Sequence, residues 1–446
     1  MKSFVNRNKL RGFWVREHGR ESILRGREIF SGRLLRLLEK LGGSAAASAL
    51  AVRLAPRAPL VQPRFRVAQR ADEATIARWW EGRPADARDA IADHATLTAA
   101  SDYGANIENM IGTIKLPVGV AGPLRVNGLH AQGDFLVPLA TTEAALVASY
   151  ARGADLITRS GGASAALLSE GVVRSPAFVF ADIVEAGRFV AWAAEHAEML
   201  RAAAEATTRY GRLEAIDPYI DNDTAFLVCR YTTGDAAGQN MVTIATQALA
   251  RAALAACPVQ PRCWFVEGNL SGDKKASWLG LIGGRGRKVS ASVIIPEALV
   301  ERHLHVGIGR MLDYARVAQI GASLSGQIGA QGHYANGLAA FYIATGQDAA
   351  CVAESAVGFT RMERRDGGLF MAVTLPNILI GSVGGGTGLP SQAAALDLLG
   401  LAGPGNGAAL AEVVACLCLA GEISIMAAIA SGDFAGAHAR LARRRR

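Results

Sequence analysis

The sequence is short of charge, of cysteine motifs and of the common phosphate- and metal-binding signatures. Only 19% of its 446 residues are charged while 50% are hydrophobic, a balance that supplies a large core and excludes a disordered chain. Six cysteines occur with no CxxC pair. That excludes a disulfide framework and a zinc-finger array and points to a reducing, cytoplasmic setting. There is no Gly-Lys-[Ser/Thr] triplet, no His-Glu-x-x-His, and no G-x-G-x-x-G behind a strand. A P-loop and a Rossmann fingerprint are therefore excluded, and no metal site is expected. The most apolar helix, expected over 408–429, is interrupted by Glu412 and Glu422. Its uncharged run falls short of the ~18 residues that a membrane span requires. Residues 1–40 are broken by charge every few positions, unlike a secretory signal. A soluble protein without a membrane segment is expected.

The net charge of +8 is unevenly placed. Residues 1–70 hold 16 Lys/Arg against 4 Asp/Glu, and the last eight residues hold five Arg and no acid. The body between them is acidic, with a net of −9. Basic ends can attract polyanions, but no nucleic-acid module accompanies them, and solvated extensions are the simpler reading. No nucleic-acid partner is expected.

Length gives a prior of two or three domains. Residues 1–70 read as a basic extension ending in a linker marked by Pro56, Pro59 and Pro63. Residues 74–98 suggest one or two helices. The stretch 107–128 has strand-and-turn composition with a hairpin signal at Asn127-Gly128. A helix is expected over 141–152, with Glu143 in its first turn and Gly153 at its end. Composition changes over 176–265, where helical stretches (184–206, 239–256) alternate with strand-like FVFADI and AFLVCRYT. This unit is long enough to be an inserted domain. A basic loop, a strand near 288–295 and a series of Gly/Ala-rich helices follow.

Two glycine-containing turns lead into helices: GDAAGQN (234–240) and GSVGGGTG (381–388). Free amides and the dipole at a helix start favour anions, so either turn suits a pyrophosphate or a carboxylate. Glu143, Asp273, Lys274, Lys275 and Asp348 stand in apolar or Gly-rich surroundings, and His438 lies near the C-terminus. Each has an ordinary structural reading as a helix-start acid, a surface lysine, a cap or a tail residue. Together they contain the types an acid/base centre needs. An ammonium stabilises oxyanion charge, and carboxyls tuned by their surroundings deliver protons.

At this point the chain resembles a known family. ENMIG (108–112), PVGVAGPL (117–124), PLATTEAALVAS (138–149), GDAAGQNM (234–241), GDKK (272–275), GQDAA (346–350), GGGTGLPSQ (384–392) and LAGEISIMAAIASG (419–432) are similar, in order, to the 3-hydroxy-3-methylglutaryl-CoA (HMG-CoA) reductases of the soluble NADPH-dependent class. The resemblance covers roughly 100–440. It implies an α+β fold: a large helix-centred domain (71–175 and 266–446) interrupted by a small ferredoxin-like NADPH-binding domain (176–265). It implies catalytic roles for Glu143, Lys274, Asp348 and His438. Substrate contacts fall on Arg174, Asp273, Lys275 and Asn336, with Ser149 and Arg152 in the helix after Glu143. Cofactor contacts fall on Arg209, Asp235, Gly238 and Asn240 and on the turn Gly384, Gly385, Gly386 and Thr387. Arg209 suits the 2′-phosphate of NADPH. The implied reaction is the four-electron reduction of HMG-CoA to mevalonate and free CoA, in a homodimer or larger oligomer with a mobile segment bearing His438.

Several positions depart from the pattern. Ala144 replaces a glycine, Glu267 a serine, Cys351 and Val352 follow GQDAA, and AS-WLGL follows DKK. These leave two alternatives: a reductase of another acyl-CoA thioester, or a non-catalytic CoA- or nucleotide-binding homologue.

Overall fold

The computed structural model describes residues 72–104 and 106–433. The basic extension, His438 and the arginine-rich end lie outside the described residues. Three short helices occupy the stretch expected to hold one or two, α1 (Glu73–Trp80), α2 (Ala85–Ile91) and α3 (His94–Thr98), and a fourth, α4 (Ala100–Gly104), follows. Asp72 and Asp93 start α1 and α3 by accepting the amide N–H of Thr75 and Thr96. Ile76, Trp80, Ala92, Ala100 and Met110 form a small apolar cluster beneath them.

Strands β1 (Val118–Gly128) and β2 (Gln132–Ala140) make an antiparallel hairpin. Asn127 and Gly128 do not form its tip. Asn127 pairs with Gln132, Gly128 donates to the Ala131 carbonyl, and Leu129 and His130 make the reversal. The next helix, α5 (Leu146–Arg159), begins later than its sequence suggests because Ala145 adopts a left-handed φ of 70°. Glu143 therefore precedes the helix. Gly153 lies inside α5 and does not end it. A Cβ there would fall 1.9 Å from the Ala420 carbonyl oxygen, so the glycine permits two helices to cross at close range.

The chain continues through β3 (Ala163–Arg174), β4 (Ala177–Val179), α6 (Ile183–Glu195), α7 (Ala197–Glu205), β5 (Arg212–Asp221), β6 (Thr224–Thr232), α8 (Gln239–Ala256) and β7 (Cys263–Phe265). Strand β5, unexpected from its sequence, contains Pro218 and pairs with β6 alone, an edge position that proline tolerates. The second half runs α9 (Trp278–Gly283), β8 (Gly286–Pro296), α10 (Glu297–Leu304), α11 (Ile308–Ser325), β9 (Gly329–Ala330), α12 (Tyr334–Ala344), α13 (Val352–Ser355), β10 (Gly358–Arg365), β11 (Gly368–Ile378), α14 (Pro390–Leu399) and α15 (Gly407–Ser431). The β10–β11 hairpin breaks the expected run of helices. Its turn residues Asp366 and Gly367 both have positive φ, the type I′ geometry that matches the twist of paired strands.

Strand β3 joins two regions of sheet. Its first part pairs with β8, within the order β3-β8-β11-β10-β9, and Val172–Arg174 pairs with β6. Arg174 thus stands where the two regions meet. Helix α15 fills the core. It is long and apolar enough to cross a membrane by length and composition, yet 89% of its most apolar window is buried inside the fold. Its two acids, both fully buried, tie down loops. Glu412 accepts the amide N–H groups of Leu129, His130, Ala131 and Leu167. Glu422 accepts those of Gly332 and His333 and the Thr360 hydroxyl. A buried carboxylate is tolerated where donors surround it in this way.

Candidate active site

The loop Gly272-Asp273-Lys274-Lys275 turns sharply, with positive φ at Gly272 and at Lys274 (57°). From it the Lys274 ammonium reaches Asp348, Nζ to Oδ2 2.7 Å. Asp348 follows α12 and caps a single 3-10 turn, Ala349–Cys351, by accepting the Ala350 N–H. Its hydrogen bond holds the Lys274 ammonium above the usual lysine range, outweighing partial burial.

Beneath this pair lies a buried ionic network. Arg174 donates to Asp273 at 2.9 Å, to Glu267 at 3.3 Å and to the Gln239 side chain at 3.2 Å. Gln239 in turn donates to Asp273 at 3.0 Å and contacts Cys351 at 3.4 Å. Arg285 pairs with Asp273 at 3.1 Å and with Glu354 at 2.7 Å. Burial pushes the Asp273 carboxyl up, but Arg285 and Arg174 together hold it below its ordinary value. Lys275 donates to the Asp273 carbonyl at 2.9 Å. Arg285, Glu354 and Gln239 are members that the sequence did not single out. The available signal was Glu354, a lone acid in the otherwise apolar AACVAESAVG.

A second pair stands on other elements. Asn336, in the first turn of α12, donates to Glu143 Oε1 at 3.3 Å. Among the described residues no hydrogen bond or ion pair joins it to the Lys274–Asp348 pair. Ser149 and Arg152 both turn to Ser424 of α15, at 2.8 Å between hydroxyls and 2.8 Å from guanidinium to carbonyl. They connect the helix behind Glu143 to the core.

The two glycine turns lie side by side, bridged between Ala236 and Val383. Between them opens a cleft of about 680 Å3 lined by Gly238, Asn240, Gly384, Gly385, Gly386 and Asp348, among others. Gly238 has φ 73° and begins the 18-residue α8. Thr387 is mostly buried and bonds back to the Gly384 carbonyl at 2.7 Å. The carboxylate of Asp235 accepts the amides of Gly405 and Gly407 at 2.8 and 3.0 Å, at the start of α15. Arg209 is exposed in the turn between α7 and β5 and is not part of the cleft wall.

A family model described as "Hydroxymethylglutaryl-coenzyme A reductase" matches residues 76–443. The chain belongs to this family. It is 44% identical to the 3-hydroxy-3-methylglutaryl-coenzyme A reductase of Aeropyrum pernix, over 76% of this chain and 82% of that protein. It is 42% identical to the same-named protein of Haloferax volcanii, over 78% and 89%. The fold is that of the class II reductase from Streptococcus pneumoniae solved with NADPH in open conformations. That structure is 19% identical, with a TM-score of 0.59, and the match covers 74% of this chain and 89% of that one. As in that comparison, this reductase-family chain is a mixed α+β protein.

Proposed function

We propose that this chain reduces HMG-CoA to mevalonate and free CoA with two equivalents of NADPH. The observation that carries the proposal is the Lys274–Asp348 pair, with Asp348 set in the wall of the cleft between the two glycine turns. The cleft suits a dinucleotide. One wall is the start of a long helix, whose first amides and dipole favour a pyrophosphate, and the other is a turn in which Gly384–Gly386 expose bare backbone. Gly238, Asn240 and Gly384–Gly386 would hold the cofactor there, with Thr387 and Asp235 shaping the two turns and Arg209, outside the cleft wall, left to meet the 2′-phosphate where the cofactor extends beyond it. Bound in this place, NADPH supplies the hydride for each of the two reductions.

The chain's own residues supply charge and protons. Lys274, kept cationic by Asp348, stabilises the oxyanion formed when the thioester carbonyl carbon gains hydride. The carbon–sulfur bond then breaks, and His438 gives its proton to the departing CoA thiolate. In the second reduction the aldehyde oxygen takes a proton from Glu143, which Asn336 orients. Arg174, Asp273 and Lys275 form the substrate-binding side, with Ser149 and Arg152 behind it. We assign 176–265 as the cofactor-binding unit inserted into a larger catalytic domain (71–175 and 266–446), in a cytoplasmic homo-oligomer.

A second reading, reduction of a different acyl-CoA thioester, draws on Glu267, whose carboxylate already occupies Arg174. One assay separates the readings: HMG-CoA and related thioesters with NADPH or NADH, following CoA release and cofactor oxidation together. The proposal expects two NADPH oxidised per CoA released. Turnover only of another thioester sinks it. Lys274→Ala should abolish NADPH oxidation while the protein remains folded, and unchanged activity would refute the role of Lys274.

A further inference from the structure

Lys274 occupies a backbone conformation that a residue with a side chain rarely adopts, φ 57°. Such a conformation is strained and persists only where its surroundings enforce it. The enforcing contact is visible. The Lys274 amide N–H donates to Glu354 Oε1 at 3.1 Å. Glu354 is 1% exposed, and both of its oxygens are held at 2.7 Å by Arg285, itself 1% exposed. The other end of that guanidinium pairs with Asp273 at 3.1 Å and takes the Gln239 side-chain oxygen at 2.5 Å. One buried cation therefore fixes both the residue before Lys274 and the acceptor of the Lys274 amide. Glu354 also lies on the same short segment as Asp348. That segment grips Lys274 twice, by the main chain at Glu354 and by the ammonium at Asp348.

We infer that Glu354, clamped by Arg285, is a positioning residue that holds the Lys274 main chain so that its ammonium meets Asp348. The inference rests on the proposed reductase reading for its kinetic consequence, but its structural part stands apart from it. The role of the pair goes beyond charge neutralisation. A carboxylate that only balanced Arg285 would not need to accept from Lys274. A polar group of the same shape should then keep part of the effect, because one oxygen can still accept the amide.

The test uses Glu354→Ala and Glu354→Gln in the full chain. The protein has seven lysines, so 15N-lysine labelling resolves the Lys274 amide, and its hydrogen exchange is followed beside steady-state kinetics. Glu354→Ala should speed exchange at Lys274 at least about tenfold, the signature of a lost half-buried hydrogen bond. It should also lower kcat by about 10–100-fold, the scale of a small misplacement of a reacting group. The KM for HMG-CoA should stay within about threefold, and the isotope effect with 4-deuterated NADPH should rise as hydride transfer becomes slower. Glu354→Gln should fall between Ala and wild type. A reduced kcat with unchanged exchange and isotope effect means a smaller active fraction and overturns the inference. Wild-type exchange and kcat in both variants overturn it as well. If the alanine variant does not fold, Glu354→Gln carries the same readings. If the wild type does not turn over HMG-CoA, the reductase reading fails, while the exchange measurement still decides whether Glu354 holds Lys274.

Discussion

Glu422 sits fully buried in the most apolar of the described helices, and its removal should be felt at the proposed catalytic residues. Its Oε1 accepts the His333 amide at 2.8 Å. Its Oε2 accepts the Gly332 amide at 2.8 Å and the Thr360 hydroxyl at 2.6 Å. In Glu422→Gln one oxygen becomes an NH2 group, a donor facing donors. The Thr360 hydroxyl can rotate and accept, but the Gly332 and His333 amides cannot. Whichever way the new amide turns, at least one N–H aimed at the buried side chain is left unsatisfied, at about 1–3 kcal/mol. The remaining bonds also lose their charge assistance, roughly 1 kcal/mol more. The expected cost is about 2–4 kcal/mol. Glu422→Ala should cost more, since it orphans both amides and leaves a cavity, while the Thr360 hydroxyl keeps Tyr334 as a partner. Thr360→Val, which removes one donor and keeps the carboxylate, should cost about 1–2 kcal/mol.

Guanidinium unfolding reads these values as shifts in midpoint at constant slope. A functional readout accompanies them. His333 is the cap of α12, and Asn336 lies three residues on, 3.3 Å from Glu143. Loosening the 332–333 turn should therefore lower kcat together with stability. Should Glu422→Gln unfold within about 0.5 kcal/mol of wild type, the anchoring of α15 through its carboxylates would be wrong and packing alone would hold the helix.

Two further outcomes are expected. In Asp348→Asn the negative charge that strengthens the hydrogen bond and raises the Lys274 pKa is lost, while the partial burial of Lys274, which lowers it, remains. The alkaline limb of the kcat–pH profile should therefore move to lower pH, and an unmoved limb would mean that Lys274 does not govern it. In stability, a raised folded-state pKa contributes below the usual lysine value of 10.5 and is lost as pH rises through the folded value, so the variant should unfold with less pH dependence at the alkaline end. Gly238→Ala places a Cβ 2.2 Å from Thr233 Cγ2 at φ 73°, a combined strain of about 2–4 kcal/mol. NADPH titration should show affinity weakened about tenfold or more, and unchanged affinity would take the 234–240 turn out of the cofactor site.

Local chemistry in the sequence carried the observed elements where neighbours decide the structure. The β1–β2 hairpin, the helix after the 234–240 turn and the apolar central helix all appear close to their expected places. The errors came where a distant partner decides. Gly153 reads as a helix stop until Ala420 is seen against it. Arg285 reads as one charge in a basic loop until Glu354, 69 residues away, is seen to hold it. Ser149 and Arg152 read as residues of the helix after Glu143 until Ser424, on α15, is seen to hold both. The β10–β11 turn was a local signal, Asp366-Gly367, masked by the Gly/Ala-rich helices around it.

Asp235 shows how such a distant partner changes the meaning of a residue. By resemblance it belongs to the cofactor's contacts, yet a carboxylate is a poor neighbour for a pyrophosphate. Both its oxygens are instead filled by the amides of Gly405 and Gly407, where the start of α15 favours negative charge. The same arrangement ties the first glycine turn to the helix that fills the core. On the proposed reading Asp235 would serve the cofactor indirectly, by fixing the turn from which Gly238 and the first amides of α8 face the cleft. Asp235→Asn keeps one acceptor and should weaken stability more than it weakens NADPH binding. The reverse order would return Asp235 to direct contact with the cofactor.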